Sequence, residues 1–166
     1  MLETIRQFGL QQLAQSGELL SARRAHAEYF LGFVEQIEPR LTGDQQQHWL
    51  EQLDDEHNNL RAALQWTIVH SAPMAVRLSS ALQRFWYARS YLREGLGWLE
   101  GALDAASMVP DADRLKVLRG AALLATALAR LDTAEQYCRA ALALAQQIGD
   151  DATAAAVLQP LAVILA

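Results

Sequence analysis

The stretch RLSSALQRFWYARSYLREGLGWLEGAL, residues 77–103, returns in pattern as KVLRGAALLATALARLDTAEQYCRAAL, residues 116–142. Leu92, Gly95, Trp98, Leu99, Ala102 and Leu103 align with Leu131, Ala134, Tyr137, Cys138, Ala141 and Leu142, each pair 39 residues apart. A small residue, a bulky one four later and an alanine three after that let two helices approach closely at the small sites and interlock at the large one. Such a unit cannot bury its apolar face alone, so neighbouring units must stack.

Composition points the same way. Leucine and alanine make up about a third of the 166 residues, and the β-branched and aromatic alternation that strands need is sparse. By length the chain is one domain with room for a continuous core, long and thin if the units stack in a row. No apolar run approaches the ~20 residues that span a bilayer, and no basic-then-apolar signal segment opens the chain, so a soluble, cytoplasmic protein is expected. Cys138, the single cysteine, sits at the large-residue site of a repeat and reads as a buried structural thiol. Residues 1–73 carry 5 basic and 10 acidic side chains, and residues 74–166 carry 9 of each. A net charge of −5 without a basic stripe argues against direct nucleic-acid binding.

Before the repeats, Leu2, Ile5, Leu10 and Leu13 mark a first helix ending near Ser16 and Gly17. Ser21 is expected to cap a second helix with Ala25, Tyr29, Phe30, Phe33, Val34 and Ile37 on its apolar side, ended by Pro39. Asp44 is expected to cap a third carrying Trp49, Leu50 and Leu53. A fourth starts at Asn58 or Asn59 with Leu60, Ala63, Leu64 and Ile68, and Pro73 suits the first turn of the next. Phe85, Trp86 and Tyr87 cannot all face one side of a helix, so Tyr87 is expected to point away from the core.

The repeat resembles the tetratricopeptide family. Leu118, Ala121, Ala122 and Ala125 stand at its first-helix packing sites in the later unit, as Ser79, Leu82, Gln83 and Trp86 do in the earlier one. Ser90 and Ala129 replace the usual turn glycine, and the usual terminal proline is missing from both units. A third unit begins at Asp150, where Val157 and Leu158 echo Val117 and Leu118. The chain stops before that unit's second helix, as expected of a piece of a longer protein. Pro160 is expected to kink or delay the last helix.

A more specific resemblance runs along the whole chain. Leu2-Glu3-Thr4-Ile5-Arg6, Leu13, Ser16-Gly17-Glu18, Arg24, His26-Ala27, Tyr29, Trp49-Leu50, Leu53, Glu56, Asn59 to Leu64, Trp66, Phe85-Trp86 and Gly95 to Leu103 resemble the region after the winged-helix segment of bacterial signal-transducing ATPase transcriptional regulators of the NB-ARC/STAND type, LuxR-type and related. The resemblance implies an all-α, tetratricopeptide-like right-handed solenoid. Residues 1–73 would form an irregular helical cap and junction, 74–149 two helix pairs, and 150–166 the first helix of a truncated third. It implies a non-catalytic sensor that biases an ATP switch outside these residues, with the nucleotide-binding module of the parent protein as one partner. No G-x-x-x-x-G-K-S/T loop occurs, so neither ATP nor another cofactor is expected here.

An enzyme is the disfavoured class, because no serine, histidine and acid set is brought together by spacing. The cluster His48, Glu51, Asp54, Asp55, Glu56 and His57 lacks the two-histidine spacing of a zinc helix and reads as a solvated acidic face. In tetratricopeptide arrays the first helix of each pair lines the concave surface, which here implies Arg77, Ser80, Arg84 and Tyr87, then Lys116, Arg119, Leu123 and Thr126. Four cations there would suit an acidic peptide, a C-terminus or an anionic metabolite. The bland alternative is that they are solvated or pair with Asp113, Glu94 and Glu100. Two other roles stay open: a scaffold with no groove ligand, and a small-molecule receptor with an enclosed pocket. Leu161, Val163, Ile164 and Leu165 are expected to leave an apolar end that supports a homodimer.

Overall fold

The computed structural model describes residues 12, 17–106 and 109–164, and among them every regular element is helical, with no strand. The helices are α1 (Leu19–Ile37), α2 (Gln46–Asp55), α3 (His57–His70), α4 (Ala72–Ala88), α5 (Leu92–Ala105), α6 (Asp111–Ala127), α7 (Leu131–Ile148) and α8 (Asp151–Ile164). A 3₁₀ turn at Glu38–Arg40 follows α1, and Pro39 stands where that helix can no longer continue. Pro73 occupies the first turn of α4, where its missing N–H is no loss. The expected first helix, Leu2 to Leu13, falls outside the described residues.

Three helix ends share one hydrogen-bond pattern. After α4, Tyr91 N–H donates to the Trp86 carbonyl at 2.9 Å and Ser90 N–H to that of Tyr87 at 3.2 Å. After α6, Arg130 donates to Ala125 at 3.0 Å and Ala129 to Thr126 at 2.9 Å. After α7, Asp150 donates to Ala145 at 2.9 Å and Gly149 to Gln146 at 3.3 Å. This paired closure satisfies terminal carbonyls and puts the turning residue in the left-handed region. Accordingly φ is 60° at Ser90, 55° at Ala129 and 74° at Gly149. Only the third turn uses the residue that adopts this conformation without strain.

Each helix from α3 to α7 packs on its successor, α4 also packs on α6, and α1 packs on α3 and α4. One apolar cluster runs from Ala27, Phe30 and Val34 of α1 through Leu60 and Leu64 to Phe85, Trp86, Leu99 and Leu124, crossing residues 73 and 74 without a break. A second joins α6, α7 and α8 through Leu115, Leu118, Cys138, Ala141, Leu144, Val157 and Leu161. Leu103 and Tyr137 touch both. Two glycines permit close approach: at Gly95 an added Cβ would lie 2.7 Å from the Trp86 ring and 2.8 Å from Leu124 Cδ1, and at Gly120 it would lie 2.7 Å from Gln83 Oε1.

Several local expectations need correction. Ser21 lies inside α1, its hydroxyl donating to the Glu18 carbonyl at 2.8 Å rather than capping an N–H. Asp44 does not cap α2, which begins two residues later with no side-chain cap. Ala25 and Tyr29 are exposed because α1 buries Ala27, Phe30, Leu31, Val34 and Ile37, a stripe turned away from both. Helix α3 starts at His57, ahead of Asn58. Helix α8 neither starts late nor stops at Pro160, and Leu158 is exposed while its neighbour Val157 is buried. Of the expected apolar end, Leu161 is buried, and the side chains of Val163, Ile164 and Leu165 fall outside what is described.

Two predictions follow from the strained turns and the tight approach. Ala129→Gly relieves a left-handed alanine and should raise unfolding free energy by about 1 kcal/mol, read from the urea midpoint. Gly95→Ala gains at most ~1 kcal/mol of helix propensity but overpacks two fully buried side chains at a cost of roughly 1–3 kcal/mol, so a net loss is expected. Gly97→Ala on the same helix meets nothing within 4 Å and should gain stability. A Gly95→Ala protein as stable as Gly97→Ala would overturn this account of the α4–α5–α6 contact.

Candidate functional site

Helix α4 buries Phe85 and Trp86 completely, and the 100° step per residue then turns Tyr87 outward, where it is 51% exposed. The same happens on α6: Leu124 and Ala125 are buried, while Leu123 is 42% exposed. These outward faces border a groove of about 600 Å³. Gln83, Arg84, Tyr87 and Ala88 line it from α4, Arg119, Ala122, Leu123 and Thr126 from α6, Cys138 from α7, and Ala156 and Val157 from α8. Leu41 and Thr42, before α2, and Gln46, its first residue, complete the wall. That segment is pinned by burial of Leu41 and by Gln46 Nε2 donating to the Leu41 carbonyl at 2.9 Å.

Of the residues assigned to the inner face, the groove brings together Arg84, Tyr87, Arg119, Leu123 and Thr126. Arg77 and Lys116 are not among its lining. Arg77 makes a two-pronged contact with Glu35 of α1, Nε donating to Oε1 at 2.8 Å and the terminal nitrogen to Oε2 at 2.7 Å. Lys116 Nζ lies 3.1 Å from Asp113, one turn back on its own helix. Ser80 is buried and donates to the Arg77 carbonyl at 3.0 Å. Of the four cations, two line the groove and carboxylates of the chain itself hold the other pair. Among the described residues Arg84 and Arg119 make no ion pair within 4 Å. The carboxylate that feels Arg119 is Asp150, which accepts from Thr153 N–H at 2.9 Å at the start of α8. Its pKa is lowered, first by its hydrogen bonds with Thr153 and then by the Arg119 charge.

Sequence reasoning missed the Leu41–Gln46 wall and the contribution of α8. Pro39 and Gly43 mark a turn there, but nothing local says that the turn folds beside α4. Cys138 is fully buried in the second cluster, and burial pushes its thiol pKa up, which leaves it a packing thiol.

The acidic cluster does not gather, and among the described residues no three His, Cys, Asp or Glu side chains converge to hold a metal. Asp54 turns to Arg89, 2.6 Å from its Nε, and accepts from the Tyr91 hydroxyl at 3.2 Å. Glu51 accepts from Gln47 Nε2 at 2.7 Å. His57 Nε2 lies 3.2 Å from Glu94 Oε1, with its ring against Phe85 and Tyr91. Glu94 is the centre of this second polar node, accepting from Arg61 Nε at 2.7 Å and from Trp98 Nε1 at 3.3 Å. These contacts tie α3 to α5 and hold the Glu94 carboxyl down at about 2, the Arg61 hydrogen bond being the largest cause. His70 Nδ1 is 2.9 Å from the Trp66 carbonyl and its ring stacks on Trp66, a helix-end contact.

The geometry defines an all-α protein whose described part carries a groove with two unneutralised guanidinium groups. The chain is similar to three curated proteins, each 32% identical over 161 residues that cover 92% of this chain. Their names are "Putative HTH-type transcriptional regulator Rv0890c" and "Putative HTH-type transcriptional regulator MT0914", from two strains of Mycobacterium tuberculosis, and "Putative HTH-type transcriptional regulator Mb0914c" from Mycobacterium bovis. The chain spans 18% of the length of these relatives. No family model matches it, and no solved structure matches it significantly. Among the described residues no helix is long and apolar enough to cross a membrane.

The Glu94 node sets a pH dependence. Its folded pKa lies below the ordinary 4.5, so its contribution is complete above about 4.5 and is lost as pH falls toward about 2. The urea midpoint of the wild-type chain should fall more steeply across that window than that of Glu94→Gln. Parallel curves would mean that the node does not stabilise the fold.

Proposed function

We propose that this chain is the non-catalytic recognition region of a transcriptional regulator, a sensor whose ligand enters the groove bordered by α4, α6 and α8. Its helices are read as tetratricopeptide-like pairs, with α4–α5 and α6–α7 as successive units. Matched turns 39 residues apart and the packing of α4 on α6 support that reading. The similarity to proteins named as HTH-type transcriptional regulators supports the regulatory role. The resemblance to signal-transducing ATPase regulators supplies the remaining element, a nucleotide switch outside these residues that the helical region biases. No cofactor and no direct contact with nucleic acid belong to this reading.

One observation carries the ligand assignment. In a chain of net charge −5, Arg84 and Arg119 both line the groove without an ion pair among the described residues, while Arg77 and Lys116 are held by neighbours. An anionic group is what such a surface takes, whether on an acidic peptide or on a metabolite. The scaffold reading, with self-association in place of a ligand, draws on the exposed apolar side chains Leu131, Ile148 and Leu158.

The test is the thermal melting shift of the chain across acidic peptides and anionic metabolites, repeated with Arg84→Glu and Arg119→Glu combined. A saturable shift that disappears in the double variant is expected. No shift with any anion, or a shift the variant keeps, would overturn the sensor site and leave the scaffold.

A further inference from the structure

The groove has a direction. Read as the first helices of successive units, α4 and α6 point the same way. Tyr87 follows Arg84 by three residues and Leu123 follows Arg119 by four, about one helical turn in each case. In the 39-residue register Leu123 stands level with Arg84 and Arg119 one turn before them, so the cations lie to the N-terminal side along α4 and α6 and Tyr87 lies beyond them. Ala122 and Val157 add only alkyl surface.

We infer that the occupant is a small amphipathic organic anion, with a carboxylate head between Arg84 and Arg119 and an apolar body on Tyr87 and Leu123. The inference rests on the reading of the groove as a sensor site and names its ligand class. Size is the first argument: about 600 Å³ falls within the ~300–1,000 Å³ of small-ligand sites. Hydrogen bonding is the second. An extended peptide needs partners for its own amides, yet the Thr126 hydroxyl is spent on the Ala122 carbonyl at 2.8 Å and Gln46 Nε2 on Leu41. The Gln83 amide and the Tyr87 hydroxyl remain as neutral donors, too few to pair the backbone of an extended strand, and the guanidinium groups suit one anionic head. Charge is the third, since the Asp150 carboxylate near Arg119 is already held by Thr153.

The experiment is calorimetric titration of the chain with hexanoate, octanoate and decanoate below their micellar concentrations, the methyl ester of decanoate, and a glutamate-rich hexapeptide. Affinity is expected to rise about threefold or more per methylene, as apolar burial requires, and to vanish for the ester. Arg84→Glu with Arg119→Glu should abolish binding, and Tyr87→Ala with Leu123→Ala should flatten the chain-length dependence. All four residues are outside the core, and helical circular dichroism checks that each variant folds. Arg-dependent binding of the peptide without a chain-length trend overturns the amphipathic ligand and leaves the recognition site standing. Binding of neither anion, or binding indifferent to the arginine changes, overturns both.

Discussion

Everything about the groove depends on a missing methyl group. Gly95 lets α5 lie against Trp86 of α4 and Leu124 of α6 at once, closer than any Cβ would allow. With α5 seated that deeply, α4 and α6 come into contact on its far side, and their outward faces become the walls of one groove. Dispersion contacts weaken steeply with separation, so a fully buried tryptophan at this junction fixes the spacing better than any surface polar contact could. The site is thus set by packing, and its arginines are positioned by what lies behind them.

The electrostatics divide the same surface into two kinds of cation. Exposed ion pairs are worth ~0–1 kcal/mol, so the Arg77–Glu35 and Lys116–Asp113 contacts add little to stability. Their consequence is bookkeeping of charge: they remove two cations from the pool that a ligand can find. By the same magnitude, that Arg84 and Arg119 make no ion pair among the described residues costs the fold almost nothing. The Glu94 node is different in kind, because a half-buried carboxylate that accepts from Arg61 and Trp98 while facing His57 links two helices far apart in sequence.

What could be read from the sequence follows from how far apart the interacting residues are. The helical class was legible in a composition rich in leucine and alanine, and the outward turn of Tyr87 followed from helical angle alone. The turns carried a subtler signal, since Ser90 and Ala129 stand where a glycine is usual and both adopt the left-handed conformation that explains why. Illegible were the contacts set by distant segments. Glu35 reaches Arg77 across 42 residues, and the Leu41–Gln46 wall is placed by the burial of Leu41 rather than by any local motif. Caps failed for a related reason: Ser21 and Asp44 have capping chemistry, but packing decided where α1 and α2 begin.

A groove built this way constrains how sensing could work. A ligand shifts an equilibrium only through different contacts with the two states. An occupant on one helix would travel with it and report nothing. One that touches α4, α6 and α8 together loses contact whenever one of these helices rotates on the next, so its affinity would differ between arrangements of the helices. Because α4 also packs on α1 and α3, a change in the α4–α6 relation is felt at those two helices. The physical path from groove to the N-terminal helices is therefore a run of packed cores, with Phe85 and Trp86 at its middle.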